Sequence, residues 1–337
     1  MEPEGREELG IIPEDKAKLG HAVSRDVNPR VALVGVGGWG KNHARVLKEL
    51  GALAAICDVN PSRMLEFSRF YGVPGYRTVD ELLADGDFDA AVVATPTSTH
   101  REVALKLIEA GKHVLVEKPM APSAKEAEEI VEAAARSGVV LAAGYIERFN
   151  PAVVELKNMM SSGRTGTPLF AEFHRENRRP THISDVGILH DTSVHDIDTA
   201  RWLLGEPSRV YARLSAVVGP KEDHAVVVLE FDGPRVAVIT SNWITPKKER
   251  RMTVVFSDSI ATVDFVAMRL TIDDERGHWE PRIQTWEPLR AELEGFLKAV
   301  SGSGGTIVDG ADALRTTKVA EAAEASARLG RPVEVTA

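Results

Sequence analysis

Residues 30–337 read as an α/β protein: a Rossmann-type doubly wound parallel sheet, then an α+β domain with a large, mostly antiparallel open sheet. Three observations predict this. Short apolar runs alternate with helix-period segments from Arg30 to about residue 148. A glycine-rich string closes the first run. Beyond Gly205 several strand-like runs follow one another with no helix between them. A chain of 337 residues is comfortable for two domains. The expected divisions are an N-terminal extension over 1–29, a first domain over 30–148 and a second over 149–337.

The elements follow in order. “RVALVGVG” is a strand, and 39–50 is a helix stopped at Gly51. “LAAICDV” is a strand, Pro61 to Tyr71 a helix ended by Gly72, and Asp80–Ala84 a short helix after “VPGYRTV”. “FDAAVVATP”, “HVLVEKP” and “VVLAAGY” are strands; the helices “STHREVALKLIEAGK” and “SAKEAEEIVEAAARSG” separate them, the latter with a Ser N-cap and a Gly stop. The rhythm changes at Asn150-Pro151. A helix over 151–162, the strand “PLFAEFHRE” and a helix over 189–204 precede the run of strands from “SRVYARLSAVV” to “RLTIDD”. Helices over 288–301 and 310–329 and the strand “RPVEV” close the chain.

Composition narrows the function. A net charge of −9 argues against a nucleic-acid or anionic-membrane surface. No run of 18 apolar residues is present, so no transmembrane helix is expected. Cys57 is the sole cysteine, which excludes an internal disulfide and a multi-Cys zinc site and suits a reducing, cytoplasmic setting. The first 29 residues are charged, lack the apolar core of a signal peptide and read as a flexible or loosely docked extension, with a short helix over 13–22 as the alternative.

Gly35, Gly37 and Gly40 form G-x-G-x-x-G between a strand and a helix, and Asp58 ends the next strand 18 residues later. In that context Gly35 allows the turn, Gly37 lets the backbone approach a pyrophosphate, and Gly40 lets helix and strand pack. Gly38 and Trp39 belong to the same loop. Asp58 suits an adenosine ribose and favours NAD over NADP, a preference that Arg63 could soften. The alternative is a glycine turn in a non-binding domain. Thr95, Pro96 and His100 follow another strand end and are expected on the cofactor side; Thr97 and Ser98 read as ordinary turn and cap residues.

Glu117, Lys118 and Pro119 end an apolar strand, where ligands bind in such sheets. Lys118 can extend its ammonium into the cofactor cleft and stabilise developing negative charge. Glu117 can hold a ribose hydroxyl or tune Lys118, and Pro119 fixes the turn, with a cis peptide allowed. A surface salt bridge is the bland alternative. In “LHDTSVHDIDTARWLLG”, Asp191, His195, Asp198 and Trp202 fall on one helical face, opposite Val194, Ile197, Ala200 and Leu204. Three readings stand: His195 as a general base assisted by Asp191, a metal site using His190, Asp191 and His195, or a polar face without chemistry.

“GVGGWGKNH”, “ATPTSTH”, “AGKHVLVEKP” and “DTSVH” together resemble the Gfo/Idh/MocA oxidoreductases, from about residue 30 to 335. The resemblance implies NAD(P)-dependent oxidation or reduction of sugar, inositol or sugar-nucleotide carbons. It implies Lys118 and His195 as catalytic groups with Asp191 one turn before, no metal, and an open sheet that mediates a homodimer or homotetramer. “GYIERFNPAV” with the helix over 189–204 looks most like the UDP-N-acetylglucosamine 3-dehydrogenase branch. That likeness places Arg148 and Asn150 toward substrate. Arg175, Arg178 and Arg179 in “FHRENRRP” would then suit a diphosphate, or form an exposed basic loop. Rival readings are a free-sugar or inositol dehydrogenase, an NAD-dependent glycosidase, and a non-catalytic NAD-binding regulator.

Overall fold

The computed structural model describes residues 28–179 and 186–336. Of the expected extension only Asn28 and Pro29 are among them; the rest of that expectation lies outside the described residues.

The first half alternates strictly. It comprises β1 (Val31–Val34), α1 (Gly40–Glu49), β2 (Leu53–Cys57), α2 (Pro61–Tyr71), β3 (Gly75–Tyr76), α3 (Val79–Asp85), β4 (Ala90–Val93), α4 (His100–Glu109), β5 (His113–Glu117), α5 (Ala124–Ser137) and β6 (Leu141–Gly144). The strands form one parallel sheet in the order β3-β2-β1-β4-β5-β6. Every residue of β1 and β4 is buried, as strands covered on both faces require. Strand order reverses between β1 and β4, and ligands bind at the carboxyl ends beside such a switch point. The caps are those the sequence predicts: Ser123 accepts the Glu126 amide at the start of α5, and Gly138 ends it at φ +65°.

The second half comprises α6 (Pro151–Ser161), β7 (Pro168–Glu176), α7 (Val194–Leu204), β8 (Pro207–Ser215), β9 (His224–Phe231), β10 (Val236–Asn242), β11 (Glu249–Phe256), β12 (Ser259–Asp264), β13 (Arg269–Asp274), β14 (Gly277–Trp279), α8 (Pro288–Val300), α9 (Gly310–Leu329) and β15 (Val333–Glu334). Its sheet runs β14-β13-β12-β11-β7-β10-β9-β8-β15, with only β7 and β10 parallel. Burial alternates along β9 and β10, so one face is covered. On the other face Phe170, Val226, Val228, Val238 and Val255 stay half-exposed. No helix among the described residues is long and apolar enough to cross a membrane.

Three details depart from expectation. The short β14 was not foreseen. The helix expected over 189–204 begins as a wide π-type turn, Leu189–Ser193, before α7 proper. The late helix α8 returns to the first sheet: Leu289, Leu293 and Phe296 share a core with Leu33, Leu47 and Ile56. The following segment also bonds that sheet, because Val308 O accepts the Ala143 amide at 2.8 Å.

Candidate active site

The loop after β1 is shaped by missing side chains. Gly35 has φ +92°, and a Cβ there would lie 2.6 Å from Ala94 O. A Cβ on Gly40 would lie 2.0 Å from Gly35 O, so only glycine lets α1 close on β1. Gly37 differs: a Cβ there would meet only the Arg63 guanidinium, at 3.6 Å. Gly38 and Trp39 are exposed, and Trp39 provides no side-chain cap to α1. The first turn of α1 therefore presents amides free of side-chain caps beside an open glycine edge, a cradle that fits a pyrophosphate. Asp58 is buried at the end of β2. Its Oδ2 accepts the Val36 amide at 2.9 Å, its Oδ1 accepts the Asn60 amide at 2.9 Å, and Arg63 Nε stands 3.2 Å away.

Thr95 follows β4 and accepts a hydrogen bond from the Thr99 hydroxyl at 2.9 Å, while Pro96 is exposed beside it. His100 corrects its expectation. Its ring is buried, with both nitrogens 2.9 Å from carbonyl oxygens, those of Pro119 and Thr95. It ties two strand ends together and does not point at a cofactor.

The ends of β5 and the π turn meet. Lys118 precedes a cis peptide to Pro119, and its Nζ donates to Asp191 O at 2.6 Å and to Asp191 Oδ1 at 3.1 Å. The two side chains keep 16 % and 15 % exposure, so solvent reaches the pair. Asp191 Oδ2 accepts the Thr192 hydroxyl at 3.0 Å, and Trp243 Nε1–H donates to that hydroxyl oxygen at 3.2 Å. Glu117 turns inward: Oε1 is 2.6 Å from His43 Nε2, and Oε2 accepts the Lys118 amide at 3.0 Å. A Cβ at Gly144 would lie 2.9 Å from that carboxylate, so a larger residue there would have to shift Glu117.

His195 lies one turn beyond Asp191, half-buried, with Nδ1 buried and without a partner among the described residues. Burial, then Lys118, Arg175 and Arg250, hold its imidazole well below the ordinary value near 6.5. The ring is therefore neutral at pH 7 and able to accept a proton. The predicted row of four is broken at Asp198, which is buried and bonded to Arg148 at 2.6 and 2.7 Å. Among the described residues no cluster of His, Cys, Asp and Glu has the arrangement of a metal site, and His190 bonds Glu324 at 2.8 Å.

Three residues expected to face substrate are internal. Arg148 grips Asp198 and Asp312, and despite its burial Asp312 is held at about 2 by Arg148 and Arg201. Asn150 caps α6 through the Ala152 amide at 3.1 Å and donates to Phe265 O at 3.0 Å. Arg175 is only 2 % exposed, bonded to Asp196 at 2.7 and 3.1 Å and to Glu147 at 2.9 Å. Of the three arginines expected to reach a diphosphate, Arg175 is thus claimed by internal carboxylates. Arg178 is exposed, and Arg179 stacks over Trp243 at 5.4 Å.

Two profiles match the chain: the oxidoreductase family with an NAD-binding Rossmann fold over residues 29–145, and the GFO/IDH/MocA C-terminal domain over 153–262. The UDP-N-acetylglucosamine 3-dehydrogenase of Acidithiobacillus ferrooxidans is 30% identical over 305 residues, 87% of this chain and 96% of that one. This chain belongs to the Gfo/Idh/MocA family. As a member, it is an NAD-binding oxidoreductase. The scyllo-inositol 2-dehydrogenase (NAD(+)) of Bacillus subtilis is also 30% identical, over 91% of this chain and 96% of that one. A crystal structure of the Acidithiobacillus enzyme superposes with a TM-score of 0.83, covering 90% of this chain and 99% of that one at 30% identity. The WlbA dehydrogenase of Bordetella pertussis, solved with NADH and UDP-GlcNAcA, superposes at 0.82 over 92% of this chain and all of its own, at 25% identity.

In this Gfo/Idh/MocA chain, sequence reasoning missed His43, Thr192, Trp243 and Arg250. His43 stood within the quoted glycine motif. Arg250 could have been found from alternation: it lies two residues before the buried Met252, hence on the covered face of β11. Thr192 and Trp243 left no signal, since their bond joins residues 51 apart.

Proposed function

We propose that this chain oxidises a ring hydroxyl of a sugar, converting C3 of a UDP-N-acetylhexosamine to a 3-keto sugar nucleotide. The observation that carries this reading is the contact between Lys118 of the nucleotide-binding half and Asp191 of the second half, with a neutral imidazole beside it whose Nδ1 has no partner among the described residues. When bound, NAD supplies the hydride acceptor. An ammonium has three donors; two go to Asp191, leaving one for the substrate oxygen, where it stabilises the partial alkoxide. His195 takes the hydroxyl proton as the C–H bond breaks, and its disfavoured cationic form passes that proton on readily. Asp58 favours NAD, because a carboxylate repels a 2′-phosphate. The nucleotide-sugar assignment leans on the Acidithiobacillus relative and the Bordetella structure. The equal identity of an inositol 2-dehydrogenase favours a second reading, in which the substrate is a free cyclic polyol.

Absorbance of NADH, followed against UDP-sugars, free sugars and inositols, tests both readings. Lys118→Ala and His195→Ala should each lower turnover ~10²–10⁴-fold while NAD still binds. Normal turnover in either variant removes that residue from the reaction. Released sugar without net NADH would point to a glycosidase instead.

A further inference from the structure

We infer that Arg250 receives a negatively charged group of the sugar substrate, a carboxylate or a phosphate, beside Lys118 and His195. This inference rests on the sugar-dehydrogenase reading above. Its basis is charge pairing. Lys118 has Asp191, Arg148 has Asp198 and Asp312, and Arg175 has Asp196 and Glu147. Arg250 has no ion pair or side-chain hydrogen bond among the described residues, and its Nε is buried without a partner.

The register fixes where this cation stands. Arg250 on β11 lies opposite Arg175 on β7, and Arg175 lies opposite Ser241 on β10. Ser241 bonds Ser193 at 3.0 Å, and Arg175 bonds Asp196, so this end of the sheet lies under the π turn and the start of α7. Burial and then Arg175 lower the Arg250 guanidinium from its usual value, with Glu147, Asp196 and Asp191 pulling the other way. Those neighbours place it at the edge of the reaction site. Lys248 is lowered first by Arg250, so positive charge dominates this corner. A half-buried guanidinium without an anion is unfavourable, and its planar fork matches a carboxylate or a phosphate.

An anion there also changes the base. His195 faces Lys118 from β5, Arg175 from β7, Arg250 from β11 and Asp191 on its own turn. Three cations oppose its protonation. A bound anion offsets part of that field, so a charged substrate prepares its own proton acceptor.

The test compares wild type with Arg250→Gln and Arg250→Lys on myo-inositol, glucuronate, UDP-N-acetylglucosamine and its uronate. It measures NADH formation, the Kd for NAD and the pH profile of kcat/KM. Arg250→Gln should lower kcat/KM for the charged substrates by roughly 10–100-fold, chiefly through KM, the scale of one charge-assisted hydrogen bond. The Kd for NAD should hold, and Arg250→Lys should restore part of the loss. The acid limb of the profile should move up toward 6.5, a change that misfolding does not produce. A loss on glucuronate identifies a carboxylate as the group received, and a loss on UDP-N-acetylglucosamine alone identifies a phosphate. Unaltered kinetics on UDP-sugars in Arg250→Gln overturns this inference and leaves the nucleotide-sugar reading intact. Wild-type turnover of myo-inositol alone overturns both and leaves a polyol dehydrogenase; turnover of none of the four overturns both outright.

Discussion

Gly35, Gly37 and Gly40 shape one wall of the site by the side chains they lack, whereas Arg148, Arg175 and Arg201 brace the elements behind the other by the carboxylates they hold. The first wall is made of backbone. Its tolerances are steric: Gly40 must clear the Gly35 carbonyl five residues earlier, and Gly35 the Ala94 carbonyl of the neighbouring strand end. The second wall is made of buried ion pairs that join distant segments: Arg175 to Glu147 and Asp196, Arg201 to Asp312. A backbone wall presents a fixed surface to a cofactor. A charged wall is balanced internally, so an unbalanced member such as Arg250 stands out.

The strongest way to break this contrast is Arg175→Met. It removes a cation and leaves Asp196 and Glu147 buried without it, which should destabilise the fold by about 3–5 kcal/mol. Burial already raises the Asp196 carboxyl, although Arg175 opposes that shift. The variant should therefore recover stability as pH falls and Asp196 takes up a proton. Adding Asp196→Leu should recover part of the loss at neutral pH. Urea unfolding at pH 5 and pH 8 measures both effects. A loss below 1 kcal/mol would mean that the second wall does not depend on its ion pairs.

Glu292 is an exception on the first wall. It lies on α8, is 2 % exposed, and neither carboxyl oxygen has a partner among the described residues. Burial and then Glu117 raise its carboxyl well above 4.5. The folded state thus keeps a proton that the unfolded state releases, and stability falls as pH rises above about 4.5 until the raised value is passed. Glu292→Gln holds neutrality at every pH. It should match wild type near pH 4 and then gain on it by about 1.4 kcal/mol per pH unit across that window. Parallel pH dependence of the two proteins in thermal unfolding would show that Glu292 is ionised in the fold.

The same contrast explains what the sequence reveals. The parallel sheet, the glycine loop, the E-K-P strand end and the Asp191–His195 pair are legible because each depends on residues within a few positions of one another. Arg148, Asn150, Arg175 and His100 mislead for a physical reason. An arginine near a strand end has the same appearance whether its anion is a ligand's phosphate or an aspartate 164 residues away, as Asp312 is from Arg148. The π turn is equally hidden. A helical wheel assumes 3.6 residues per turn, and a wider first turn shifts Asp191 relative to His195 and Asp198, which both lie in α7.

Gly37→Ala is the finest probe of the contrast, because it separates the two uses of glycine. Gly40→Ala would force a Cβ to 2.0 Å from Gly35 O, so loss of binding there could reflect loss of fold. Gly37 has φ outside the left-handed range, and its added methyl would touch only the Arg63 side chain, at ordinary contact distance. Folding should therefore be almost unchanged, with the melting temperature within about 2 °C of wild type. The methyl would occupy the edge where a pyrophosphate approaches, so the Kd for NAD should rise by roughly tenfold or more, tenfold being about 1.4 kcal/mol. Fluorescence titration with NADH beside a thermal melt measures the two quantities separately. A lower melting temperature with unaltered NADH affinity would put Gly37 among the packing glycines and move the pyrophosphate elsewhere on the first wall.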